Sequence, residues 1–190
     1  MRDMTDQPLL EIRNLVIEAT SYPPGERPMD ITLVHGVSLT LQKGKVLGLI
    51  GESGAGKSTI GLSSMAYGRG GVRITGGEVF LGGRDIMKVG TAGLRALRGR
   101  EVTYVSQSAA ASFNPAKRLM DQVTEATLMH GLMTKDEAEA RAVGLFSKLG
   151  LPNPETIGQR YPHQVSGGQL QRVMTAMALC PKPDLVVFDE

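Results

Sequence analysis

The sequence predicts an α/β fold with a β-rich first part, a strand, loop and helix unit, and a helical insertion that returns to a closing strand. Three observations carry this. Strand-like apolar runs precede residue 50, a glycine-rich turn at 51–56 separates an apolar run from a helical pattern, and strand signals vanish over 116–150.

Residues 9–17 (Leu9, Leu10, Ile12, Leu15, Val16, Ile17) and 31–41 read as strands, the second alternating from Val37 to Leu41. Between them Ser21 to Pro28 is a loop, because its prolines and glycine break both periodicities. Val46-Leu47-Gly48-Leu49-Ile50 is expected to be a short strand, and the pattern turns helical from Lys57 to about Ala66. Gly68 to Gly71 and Gly76-Gly77 punctuate another β region that ends near Ile86, and Val102 to Val105 reads as a buried strand. Thr134 with Glu137 has capping-box spacing. Ala138, Ala142, Leu145, Phe146 and Leu149 then share a helical face that Gly150 terminates. Ser166 with Gln169 opens a second capped helix, whose Leu170, Val173, Met174, Met177 and Ala178 share a face until Pro181 and Pro183 stop it. Leu185 to Phe188 is the closing strand. No internal repeat and no low-complexity segment interrupts this order.

Composition narrows the function classes. In 190 residues, 41% hydrophobic and 21% charged content with 24 Gly and 10 Pro describes a globular chain, not a fibrous or disordered one. The opening residues lack the apolar core of a signal peptide, and no stretch approaches the roughly 18 apolar residues of a membrane span. The expectation is a chain neither exported nor itself membrane-spanning. One cysteine, Cys180, excludes an internal disulfide and fits a reducing compartment. A formal net charge of +2, with basic residues scattered, gives no footprint for nucleic acid. His35, His130 and His163 have no ligand spacing with one another or with Cys180, so no structural metal site is expected, and the 10 Met read as core filler.

Gly51-Glu52-Ser53-Gly54-Ala55-Gly56-Lys57-Ser58-Thr59 matches G-x-x-x-x-G-K-[ST] after an apolar run and before a helix, the context that gives the pattern meaning. Its glycines let successive N–H groups turn inward around phosphates, and the helix start adds partial positive charge. Lys57 is placed to reach the β- and γ-phosphates, and the Ser58 hydroxyl to join the shell of Mg²⁺. Asp189-Glu190 ends the closing apolar strand. Beside a phosphate loop, that aspartate can hold Mg²⁺ and the glutamate can orient or deprotonate an attacking water. The span from Lys57 to Asp189 leaves no room for a long coiled-coil insertion.

Val165-Ser166-Gly167-Gly168-Gln169 with Leu170-Gln171-Arg172-Val173 resembles the signature motif of ATP-binding cassette (ABC) ATPases. In order with the two phosphate motifs, the resemblance covers nearly the whole chain. It implies a P-loop NTPase (RecA-like) core with an antiparallel β subdomain and an inserted α-helical subdomain, and ATP and Mg²⁺ as ligands. The expected organisation is a core over 1–111 with the β subdomain, phosphate loop and Q-loop, a helical subdomain over 112–164, and a signature helix and closing strand over 165–190. A general P-loop kinase or GTPase predicts no such signature. Ser166, Gly167, Gly168 and Gln169 form a second anion-binding helix start, which one nucleotide in one chain does not need. In the family two cassettes pair head to tail, and each signature helix closes on the γ-phosphate held by its partner. Gln107, at the end of the Val102 strand, is placed like the family's Q-loop glutamine, which contacts Mg²⁺ and the attacking water. Tyr22 is either the aromatic that stacks on adenine or an ordinary tyrosine of a Pro-rich loop.

Arg98-Gly99 leading to Gln107, Ser112-Phe113-Asn114-Pro115, Gln122, Glu125, Tyr161-Pro162-His163-Gln164 and Gly51-Glu52-Ser53-Gly54 resemble the ATPase subunits of dipeptide, oligopeptide and nickel importers. The chain departs from them at Ser106, where an aromatic is usual, and at Ser108-Ala109-Ala110, where an acidic-Pro pair is usual. The resemblance implies an ATP-hydrolysing subunit held peripherally on the cytoplasmic face of a bacterial inner membrane. Its partners would be a second ABC ATPase subunit, identical or related, membrane permeases and, indirectly, a periplasmic or extracellular solute-binding protein. The rival function is a cassette of a soluble enzyme complex or a regulatory binding module. Relatives continue past the position of Glu190 with a further strand and a γ-phosphate-sensing histidine, so the expectation is that these residues are part of a longer protein.

Overall fold

The structure, a computed structural model, describes residues 7–25 and 27–189. The chain divides into two compact units, Met1–Arg95 and Ala96–Glu190.

The first unit is built on a four-stranded antiparallel sheet of β1 (Leu10–Ser21), β2 (Met29–Leu41), β3 (Val72–Leu81) and β4 (Arg84–Asp85), in the order β2-β1-β3-β4. Leu10, Ile12, Leu15 and Ile17 of β1 are buried. Their spacing slips by one residue between Ile12 and Leu15, and both ladders shift register there. This is a β-bulge, in which an extra residue lets the later apolar side chains stay on the core face. Asn14 takes up the slip at φ 48, and its N–H donates to the Ser38 hydroxyl at 2.9 Å. Gly77 crosses directly over the bulge at φ 89. The sheet's outer corner is tied by Arg73, which bonds the Thr20 hydroxyl at 3.2 Å and the Asp30 carboxylate at 2.9 Å.

After β2, residues 46–50 join neither sheet of the described residues, against the expected strand, and Val46 and Ile50 are 98% and 99% exposed. The sequence has the apolar run of a buried strand, but a strand exists only through its ladder, and no described segment pairs with it. Helix α1 (Lys57–Ser63) follows the glycine loop directly, shorter than the pattern to Ala66, because Ala66 adopts φ 49 and ends the turn. Helix α2 (Gly90–Leu97) carries the chain across the division.

The second unit places a parallel pair, β5 (Val102–Val105) and β6 (Leu185–Phe188), with Val102 opposite Leu185 and Val105 opposite Phe188. Helices α3 (Ala109–Ser112), α4 (Leu119–Met129), α5 (Lys135–Lys148), α6 (Pro154–Ile157) and α7 (Gly167–Leu179) pack around Val105, Leu119, Val123, Phe146, Val173 and Met174, all of them buried. Both expected capping boxes form, at Thr134 with Glu137 and at Ser166 with Gln169. Gly150 ends α5 at φ 65, a conformation that costs glycine nothing. Gln122 of α4 pins the preceding loop, accepting from Asn114 N–H at 2.8 Å and donating to the Asn114 and Lys117 carbonyls at 3.1 Å.

Candidate functional site

In the first unit, Gly51 to Thr59 forms a loop with a turn in which Ala55 N–H donates to the Glu52 carbonyl at 3.2 Å. Gly54 and Gly56 adopt φ 82 and 79, the left-handed steps that turn backbone N–H groups toward one concavity. Gly56 is also confined by packing, since a Cβ there would meet Val34 at 3.3 Å. It caps α1, whose Ile60 N–H already reaches the Gly56 carbonyl at 2.9 Å. The Lys57 ammonium folds back over the loop and donates to the carbonyls of Gly51 and Glu52 at 2.8 and 2.7 Å. A lysine ammonium held over a loop of left-handed glycines is an arrangement able to receive phosphate. Glu52, Ser53 and Ser58 are exposed at its rim. Tyr22, 75% exposed, begins the loop that leads to β2.

In the second unit Asp189 and Gln107 follow the ends of β6 and β5. Asp189 N–H donates to the Val105 carbonyl at 2.9 Å, extending the ladder one step past β6 and fixing the aspartate's backbone. The Tyr104 hydroxyl donates to Asp189 Oδ2 at 2.5 Å. No motif names Tyr104. The signal available in the sequence is positional: Tyr104 lies opposite Val187 in the ladder, so it shares a face with the residue two beyond, Asp189. Glu190 lies outside the described residues.

Gln107 is exposed just beyond β5, on a turn rooted by Ser106. The Ser106 hydroxyl lies 2.6 Å from the Ser112 hydroxyl and 3.4 Å from Met174 Sδ, while Gln171 Nε2 donates to the Ser106 carbonyl at 3.4 Å. Two residues of α7 thus hold the root of the Gln107 turn. A bulky aromatic at 106 would pack there by area alone, whereas serine does it by directional bonds.

At the start of α7, Ser166 Oγ accepts from Gln169 N–H at 3.3 Å and Gln169 Oε1 accepts from Ser166 N–H at 2.9 Å. The two exposed residues between them, Gly167 and Gly168, would place a Cβ with nothing within 4 Å. No described residue requires glycine there. Glycines without an internal reason, at a capped helix start of 13 residues, leave room for an outside group to approach the backbone closely.

A family profile described as ABC transporter matches residues 34–190. The dipeptide transport ATP-binding protein DppD of Bacillus subtilis is 33% identical over 186 residues, 96% of this chain and 53% of that protein. The oligopeptide transport ATP-binding protein AppD of the same organism is 38% identical over 183 residues, covering 96% of this chain and 54% of its own length. OppD of Salmonella typhimurium, an oligopeptide transport ATP-binding protein, is 35% identical over 182 residues, 96% of this chain and 52% of that one. The chain spans about half the length of the curated relatives it matches. Among solved structures, the dimer of MJ0796, described as a bacterial ABC transporter cassette, superposes with a TM-score of 0.78 at 25% identity, covering 95% of this chain and 73% of that one. The post-hydrolysis state of the same cassette, bound to ADP and Pi, gives 0.79 at 24% identity over the same shares.

Proposed function

This chain belongs to the ABC transporter family, and from that premise we propose that it is the ATP-binding and ATP-hydrolysing subunit that powers a peptide-type importer through nucleotide-driven dimer closure. One observation carries the reading. Two glycine-opened stretches of backbone, the Gly51–Thr59 loop under Lys57 and Gly167 with Gly168 at the start of α7, are each able to receive an anion, and a single nucleotide in a single chain uses only one of them. The second is explained by a partner cassette.

The donor set fits the ligands. Phosphate oxygens suit the inward N–H groups and Lys57, and a serine hydroxyl with an aspartate carboxylate are the hard oxygen donors that Mg²⁺ prefers. Bound MgATP supplies the phosphoanhydride bond whose cleavage by water releases the energy used.

Each residue then has a physical task. Lys57 exchanges the Gly51 and Glu52 carbonyls for phosphate oxygens, trading two neutral acceptors for charged ones that bind an ammonium more strongly. Gly51, Glu52, Ser53, Gly54, Ala55, Gly56 and Thr59 form the cradle around that lysine. Ser58 and Asp189 would each offer an oxygen to Mg²⁺, and Gln107 would contact the metal and orient the attacking water. Glu190 takes the proton from that water. Ser166, Gly167, Gly168 and Gln169 act on the nucleotide of the partner subunit, so nucleotide binds the closed pair more tightly than the open one. That difference in affinity is what allows a ligand to drive a conformational change.

No helix among the described residues is long and apolar enough to cross a membrane. The proposed coupling runs through membrane permease subunits, with the cassette held peripherally on the cytoplasmic face. The relatives' names specify dipeptides and oligopeptides, and we extend that solute class to this chain, delivered by a solute-binding protein. The organisation that serves this is the core over 1–111, the helical subdomain over 112–164 and the signature helix and closing strand over 165–190.

The test is Glu190→Gln in the full chain. Without its base, hydrolysis should fall by about 10²- to 10⁴-fold, while ATP remains bound and closed dimers accumulate in size-exclusion chromatography. An undiminished hydrolysis rate overturns the assignment of the base, and failure of ATP to promote dimers overturns the reading of the signature residues.

A further inference from the structure

The Asp189 carboxylate is held from its own sheet by a phenol that the motif pattern does not include. The ladder bond to Val105 fixes the backbone of Asp189, which leaves rotation about its side-chain bonds. The Tyr104 hydroxyl removes that freedom by donating to Oδ2 at 2.5 Å, the short distance of a bond from hydroxyl to charged oxygen. Both residues are part-buried, where such a bond is less screened than in open water. Tyr104 reaches the aspartate from the neighbouring strand, because the parallel register puts it opposite Val187, two residues before Asp189.

We infer that Tyr104 is a positioning residue for Asp189, holding the carboxylate in one orientation so that it meets the divalent cation without first losing rotational freedom. This rests on the reading of Asp189 as a Mg²⁺ residue. The argument is that of groups lying behind metal ligands in general: they fix the ligand's orientation, and their loss typically weakens metal affinity by about 10- to 100-fold. Because Mg²⁺ is held through only one or two carboxylates and keeps water and phosphate oxygens as its other ligands, the effect belongs at the low end of that range, about tenfold.

The experiment compares the full chain with Tyr104→Phe and Asp189→Asn. Binding of a fluorescent ATP analogue is followed while Mg²⁺ is titrated, Mn²⁺ binding is measured by electron paramagnetic resonance, and binding of the analogue without metal is the control. The original chain should bind the analogue more tightly with Mg²⁺, and Asp189→Asn should lose that gain. Tyr104→Phe, which keeps the ring, should raise the half-saturating Mg²⁺ and the Mn²⁺ dissociation constant about tenfold, with metal-free nucleotide affinity unchanged. If Asp189→Asn loses the metal effect and Tyr104→Phe matches the original chain or binds metal more tightly, the positioning role is wrong and the reading of Asp189 stands. If Tyr104→Phe weakens metal-free binding as much as metal-dependent binding, the phenol is only structural and the proposal fails. If Asp189→Asn keeps the full metal effect, the reading of Asp189 fails and the inference falls with it.

Discussion

Glycine does opposite jobs at two places in this chain, and the distinction yields a paired prediction. At Gly77 a Cβ would lie 2.5 Å from the Arg13 carbonyl oxygen and 2.6 Å from that of Asn14, with φ at 89. Both obstacles are backbone, so neither can swing aside. Gly77→Ala should destabilise the first unit by at least the roughly 1–3 kcal/mol that such backbone strain costs, read as a lower urea midpoint. Gly167 has open space and an ordinary φ, so Gly167→Ala should leave the unfolding midpoint within about 0.5 kcal/mol of the original while weakening ATP-promoted dimerisation. Equal losses of stability would mean that Gly167 serves packing after all. The phosphate-loop glycines and the signature glycines were legible because their spacing with Lys57 and Ser166 forms patterns. Gly77 was visible only as punctuation, since the bulge at Asn14 that demands it lies far away in sequence. Tyr104 was hidden for a related reason: its partner is 85 residues distant, and only the β5–β6 register brings them together.

At the scale of elements, α5 and α7 terminate each other. Arg141 of α5 donates to the carbonyls of Cys180 and Leu179 at 2.7 and 2.8 Å, at the end of α7. Arg172 of α7 returns the arrangement, donating to the carbonyl of Gly150 at 2.8 Å just past the end of α5. The last carbonyls of a helix lack partners within it and carry partial negative charge, so a guanidinium answers both needs. Arg141→Ala should cost about 1.5–3 kcal/mol, the range for a hydrogen bond to a charged group, measured by urea unfolding. Arg172 is exposed, and Arg172→Ala should cost less. A larger loss at Arg172 would show that the two caps are not ranked by burial. The capped helix starts were legible because Thr134 with Glu137 and Ser166 with Gln169 are local signals. The reciprocal arginine ends were not, because each pairs residues from different helices. The run 46–50 shows the reverse case, a local strand pattern that forms no strand, since hydrophobicity states what a segment needs and not whether a ladder partner is at hand.

For the whole molecule, the order of motifs disclosed the family, but not the division after Arg95, which falls inside α2. Motif order records which groups do chemistry, whereas compact units record where side chains pack, and α2 carries no motif that could mark the change. Each unit has its own titrating supports, so stability should vary with pH at both ends. In the first unit, the Thr20 hydroxyl and Arg73 hold the Asp30 carboxyl below its usual range, and Lys88 with the Met87 N–H does so for Asp85. In the second, the Thr134 N–H and hydroxyl lower Glu137. A carboxylate more acidic when folded adds stability that is present above its unfolded pKa and lost as pH falls through the lower folded value. The acid limb should therefore begin near pH 4 and continue below it. Burial raises the Cys180 thiol, so its contribution has the opposite sense: it is complete below the unfolded pKa of about 8.5 and is lost as pH rises toward the folded value. Urea midpoints measured across pH should form a plateau that falls at both ends, and Cys180→Ala should flatten the alkaline side while leaving the acid side in place. An alkaline fall of unchanged size in Cys180→Ala would assign that limb to other groups, with Lys88, raised by Asp85, the next to test through Lys88→Met.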